Sequence, residues 1–164
     1  YTALVSSVSG VAGIALVEVY DADVSTEALT APRLINISTR AHVTTGDGLL
    51  IAGIVVTGNA PKKILIRAIG PGLAAYGVVG VLPDPFLKLY KGNSVIRQND
   101  NWSDSPSDAS LISAAGAATG AFTLAEGAKD AAMLVTLEAG SYTAQVSGVG
   151  ALTGAALIEV YEVP

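Results

Sequence analysis

The chain writes the same pattern of about twenty residues at both of its ends. Tyr1-Thr2-Ala3-Leu4-Val5-Ser6 returns as Tyr142-Thr143-Ala144-Gln145-Val146-Ser147, and the stretch Gly13 to Tyr20 returns as Gly154 to Tyr161. The offset is a constant 141, so no gap is needed, and twelve of the 21 positions from Tyr1 to Asp21 are identical to their partners. Each copy reads as two strands joined by a Gly/Ser-rich turn, that is, as a hairpin. Residues 2–7 alternate as a strand with two distinct faces does. Ala15 to Tyr20 is mostly apolar, interrupted by Glu18. One sandwich has no room to place the same hairpin in the same slot twice. Either two pseudo-equivalent slots exist, or one copy belongs to a neighbouring module. Tandem repetition and strand exchange between subunits both produce this pattern. On this reading Tyr1, Ala3, Val5, Ala15, Val17, Val19 and Tyr20 are the docking side chains.

Between the copies, β signals dominate. Residues 33–43, 49–57 and 63–69 are β-branched or alternating runs bounded by Gly and Pro, and Thr45-Gly46-Asp47-Gly48 reads as a tight turn between the first two. Phe86 to Tyr90 and Ser94 to Gln98 flank Lys91-Gly92-Asn93, a second hairpin signal, and Met133 to Leu137 leads through Glu138-Ala139-Gly140 into the second repeat copy. The expected fold is therefore all-β, a sandwich or jelly roll of about nine to eleven short antiparallel strands. At most one short helix is expected, over Ala109 to Ala118 behind Ser107-Asp108. The expected organisation is a duplicated hairpin over 1–21, a polar linker over 22–32 and a sandwich over 33–164, with the boundary near Ala31.

Composition narrows the function. Half of the residues (51%) are apolar and only 14% are charged, with a mean hydropathy of +0.52. No apolar stretch approaches the roughly 20 residues of a spanning helix. The longest, Leu49 to Val56, has eight. The surplus apolar surface then belongs in a core or between subunits. A net charge of −5, with no cluster of Lys and Arg, sets aside nucleic acid and anionic membranes. The absence of cysteine excludes a disulfide scaffold and thiolate metal sites.

Candidate chemistry is sparse. His42 is the sole histidine, and no Gly-x-Ser-x-Gly elbow surrounds any serine, so no catalytic residue is assigned and no enzyme is expected. Asp84, Asn99, Asp100, Asn101 and Asp104 offer hard oxygens near two loops, a candidate calcium set and the sole candidate cofactor; ordinary turn chemistry explains the same residues. Asn36-Ile37-Ser38 and Asn101-Trp102-Ser103 satisfy the glycosylation sequon, with Asn101 the better placed. Gly70-Pro71-Gly72 lacks the Lys that follows a phosphate-cradling loop and reads as a turn. Trp102 reads as a loop plug or a sugar-stacking ring. Glu18 and Glu159 sit inside apolar strands, and their duplication points to a structural slot, an ion pair with Arg33, Arg40 or Arg67.

Several of these segments resemble a bacterial repeat module of large secreted proteins. They are Arg33 to Arg40, Thr45-Gly46-Asp47, Ile64 to Pro71, Asp84-Pro85, Leu89-Tyr90, Asn99-Asp100-Asn101-Trp102, and the terminal Gly-Ser-Tyr-Thr-Ala-Gln-Val-Ser-Gly…Glu-Val-Tyr. The resemblance covers residues 33 to 161, and residues 1–20 look like the tail of a preceding module. It implies export and repetition, with no activity attached. The second half also resembles, more loosely, the pre-peptidase C-terminal domains, β-sandwiches attached to secreted enzymes. The expected function is thus a structural subunit of an extracellular fibre or cell-surface array, with copies of itself as partners in a head-to-tail homopolymer. The alternative is a calcium-dependent, carbohydrate- or surface-binding accessory module.

Overall fold

The computed structural model describes residues 1–20 and 34–164. The expected linker and Arg33 lie outside the described residues. The chain divides into two compact units, Tyr1–Leu34 and Ile35–Pro164. The larger unit is an antiparallel β-sandwich. Its strands are β1 (Asn36–Val43), β2 (Leu50–Val56), β3 (Lys62–Ile69), β4 (Pro85–Lys91), β5 (Ser94–Asn99), β6 (Ala131–Leu137), β7 (Gly140–Gly148) and β8 (Gly154–Glu162), with one α-helix, α1 (Pro106–Thr119), before β6. The first sheet runs β1-β8-β3-β6 and the second β2-β7-β4-β5. These eight strands are fewer than the nine to eleven expected, because residues 1–20 carry no strand.

Two apolar layers explain the strand compositions. Val43, Leu50, Ile66, Leu89, Val146 and Ile158 pack between the sheets. Leu65, Ile69, Trp102, Ile112, Ala132 and Tyr161 form a second layer, outside the first sheet and beneath α1. β3 and β8 are therefore covered on both faces and read as nearly continuous apolar runs. The outer face of the second sheet meets solvent, so β2 and β7 alternate, with Ile51 and Val55 of β2 exposed. The helix starts earlier than expected. Pro106 occupies its first turn, where a missing N–H costs nothing, and Asp108 faces the positive end of the dipole. It stops at Gly120, whose φ of 73° closes a left-handed cap with Ala121 N–H donating to Gly116 O at 3.0 Å.

Two expected hairpins are corrected. Thr44 to Gly48 does form a turn, closed by the Thr44 N–H to Gly48 O bond of 2.8 Å, but the strands it joins, β1 and β2, lie in opposite sheets. The terminal copy of the repeat is likewise not a hairpin. β7 sits between β2 and β4 in the second sheet, while β8 sits between β1 and β3 in the first. The pair is an arch that crosses the sandwich and fills a central place in each sheet. Gly154 makes the crossing tight, since a Cβ there would lie 2.6 Å from Leu82 N. The hairpin expected around Gly92 does form, joining β4 to β5 with a register shift between Leu89 and Tyr90.

Candidate functional site

The arch places the alternating apolar positions of the repeat. In the terminal copy Tyr142, Ala144 and Val146 of β7 point into the core, as do Ala156, Ile158 and Val160 of β8. Their equivalents in the first copy are Tyr1, Ala3, Val5, Ala15, Val17 and Val19, six of the seven expected docking residues. The seventh, Tyr20, matches Tyr161, which belongs to the outer apolar layer. In the smaller unit, residues 1–20 are exposed throughout, including Leu4, Val8, Ile14 and Leu16. Among the described residues, one backbone bond is made within this segment, from Gly10 N–H to Ser7 O at 3.4 Å. A sequence that is core in one place is thus solvent-facing in the other.

Glu159 lies directly opposite Arg67 in the β3–β8 register, and Arg67 Nε stands 3.0 Å from its Oε2. Both are almost fully buried, Arg67 at 2% and Glu159 at 6% exposure. Arg67 also donates from Nη1 to Phe122 O at 2.7 Å and stacks on that ring, 4.3 Å from its centroid. Tyr161 O–H donates to Glu159 Oε1 at 2.8 Å. Burial and the carboxylate beside it push the Tyr161 hydroxyl up to about 12. Of the three arginines expected to face Glu159, Arg67 is the partner. In the first copy Tyr20 donates to Glu18 at 2.9 Å, which repeats the local Glu-x-Tyr bond. Among the described residues Glu18 has no cation beside it. The two oxygens of Glu159 thus face Arg67 and Tyr161.

The expected calcium residues lie near one another, Asn99 donating to Asn101 O at 3.1 Å and Asp84 and Asp104 both acting on the charge of Asp100. Asn99 Oδ1 accepts from Ala132 N–H of β6 at 2.9 Å, and Asp104 accepts from Asn101 Nδ2 at 3.0 Å, so both oxygens are engaged. Three other oxygens of the set are buried without a hydrogen-bond donor among the described residues: Asp84 Oδ1, Asp100 Oδ1 and Asn101 Oδ1. Asp84 is 7% exposed and its other oxygen pairs with the ammonium of Lys129. Burial raises the Asp100 pKa, and the negative charges of Asp84 and Asp104 add to it. Among the described residues no group of three or more His, Cys, Asp or Glu side chains is placed to hold a metal. The buried oxygens without a donor are two from carboxylates and one from an amide, with Lys129 as a local cation.

Sequence reasoning missed Asp130, which is fully buried. Its Oδ1 accepts from the N–H groups of Gly70 and Gly72 at 2.8 and 3.1 Å. The Gly-Pro-Gly turn thus cradles an oxygen of the chain's own Asp130 side chain. Gly70 is required there, because a Cβ would lie 2.1 Å from Leu82 O. Trp102 is buried and donates to Ala125 O at 3.0 Å, so it plugs the loop and presents no face to a sugar. Beside it a cavity of about 120 Å³ lies between α1 and the first sheet, lined by Arg67, Gly116 and Phe122. His42 is exposed on β1 opposite Ala155. Asn36 Nδ2 is spent on Val160 O at 3.2 Å, within a strand as expected, and Asn101 lies in the loop after β5.

No family model matches the chain, and no curated protein matches it. Among solved structures it is similar to the pre-peptidase C-terminal domain of collagenase from Bacillus anthracis. Identity is 13%, the match covers 77% of this chain and 89% of that domain, and the TM-score is 0.45. So distant a likeness carries no function across.

Proposed function

We propose that the chain is a structural subunit of an extracellular, repetitive assembly, in which the arch sequence of residues 1–20 completes a sheet pair outside its own sandwich. The observation that carries this reading is the equivalence of Tyr1, Ala3, Val5, Ala15, Val17 and Val19 to six core side chains of the terminal arch. Fully burying a side chain such as Val or Leu is worth about 1.5–3 kcal/mol relative to exposure. An arch of such residues therefore gains strongly from any sandwich edge that accepts it, through main-chain hydrogen bonds and alternating pockets. A segment that leaves one copy to complete the next makes a head-to-tail contact that does not close, and so it grows filaments. Tandem modules joined in one polypeptide would use the same interface. Removing residues 1–21 tests the reading: long assemblies seen by electron microscopy should vanish, and their persistence overturns it.

A second reading rests on the three buried oxygens of Asp84, Asp100 and Asn101 that have no donor. Calcium takes six to eight such oxygens, amide and carboxylate alike, and would satisfy all three. The chain would then be a calcium-dependent accessory module of a secreted protein. Isothermal titration with calcium chloride tests this, and the absence of heat at millimolar cation excludes it.

A further inference from the structure

We infer that the acceptor for the arch is the side of the sandwich where β1 and β2 lie, and that one arch of a second copy caps both strands at once. This inference rests on the complementation reading and names its surface. The two sides of the sandwich differ. On the β5/β6 side β5 likewise pairs only with β4 and β6 only with β3, but Asn99 of β5 takes the Ala132 N–H of β6 at 2.9 Å and Arg97 of β5 pairs with Asp108 of α1 at 3.1 Å, which places side chains across that opening. On the other side, β1 pairs only with β8 and β2 only with β7, which leaves one backbone edge of each open among the described residues. The core-facing side chains at that edge are also uncovered. Ile37 is 44% exposed, although its partner Val160 in β8 is buried. Ile35, on the same face, is exposed as well.

Direction, face and charge all suit the arch. β7 and β8 run antiparallel to β2 and β1, so an arch moved outward past those strands, keeping its orientation, again meets both antiparallel. At unchanged level Val19, Val17 and Ala15 fall beside Ile37, Thr39 and Ala41, while Tyr1, Ala3 and Val5 fall beside Ile54, Ala52 and Leu50. Inward-facing residues then meet inward-facing residues in both sheets. A slip by one residue would turn every one of them outward. Glu18 falls beside Ser38 and diagonal to Arg40, which has no ion pair among the described residues. That contact gives Glu18 the cation that Arg67 gives Glu159.

The cysteine-free chain makes the register directly testable. Two single variants, Val17→Cys and Thr39→Cys, both at exposed positions, are mixed and oxidised. The same is done with Leu4→Cys and Ile51→Cys for the second sheet. Residues directly opposite place their Cβ atoms about 4.5–5.5 Å apart, within or close to the reach of a disulfide. The expected result is a disulfide-linked heterodimer from each mixture, in at least tenfold excess over the mismatched mixture of Val17→Cys with His42→Cys. Equal yields from matched and mismatched mixtures overturn the proposed edge, and if deleting residues 1–21 still abolishes assembly, complementation itself survives with another acceptor. A chain carrying both Val17→Cys and Thr39→Cys that closes only on itself overturns the second copy as occupant.

Discussion

Replacing Glu159 by Gln should cost about 3 kcal/mol of stability. The side chain keeps its shape and its Oε1 still accepts from Tyr161, so packing changes little. What is lost is the charge facing a guanidinium that is 2% exposed. Removing one partner of a buried pair costs roughly 3–5 kcal/mol, because the other charge stays desolvated. Arg67 retains the Phe122 carbonyl and ring as compensation, which places the expectation at the low end. With a urea slope of about 2 kcal/mol/M, the unfolding midpoint of the dilute chain should fall by about 1.5 M at unchanged slope. The double variant Arg67→Met with Glu159→Leu removes both charges and should recover most of the loss, to within about 1 kcal/mol of the parent. A Glu159→Gln cost below about 1 kcal/mol, or a double variant less stable than either single one, would refute the assignment of Arg67 and Glu159 as one electrostatic unit.

Other consequences follow from the same geometry. Asp130→Ala leaves the N–H groups of Gly70 and Gly72 without their acceptor in a buried turn, and a loss of at least ~2 kcal/mol in chemical denaturation is expected. Tyr161 holds its proton more tightly when folded than the ordinary tyrosine value of 10.0 allows. Its contribution to stability is therefore complete below pH 10 and is lost as pH rises toward 12; ultraviolet titration should show one late tyrosine that Tyr161→Phe removes. If calcium occupies the Asp84 loop, millimolar calcium raises the melting temperature of the parent but not of Asp84→Asn, read by scanning calorimetry.

The strands were legible in the sequence, but their partners were not. Alternation tells which residues share a face and says nothing about which sheet a strand joins. Strand, short Gly-rich turn and strand was therefore read as a hairpin at residues 142–161, where the structure has an arch. The distinguishing signal lay in composition. β7 alternates because its outer face is wet, whereas β8 is apolar on both faces because α1 and its flanking loops cover the first sheet. Two strands of one hairpin would share that cover. Glu159 was legible because a carboxylate inside such a run needs a cation, and β3 supplies one. Asp130 gave no signal, since its acceptor role depends on Gly70 and Gly72, sixty residues away. The duties of Asn99 and Asp104 within the fold, accepting from Ala132 N–H and Asn101 Nδ2, are not visible from spacing.

Amide hydrogen exchange on the assembled material addresses the role of residues 1–20 most directly. If they are sheet strands there, the N–H groups of residues 2–6 and 14–20 exchange slowly in the assembly and at random-coil rates in the dissociated chain. Equally fast exchange at those positions in both states would contradict the account.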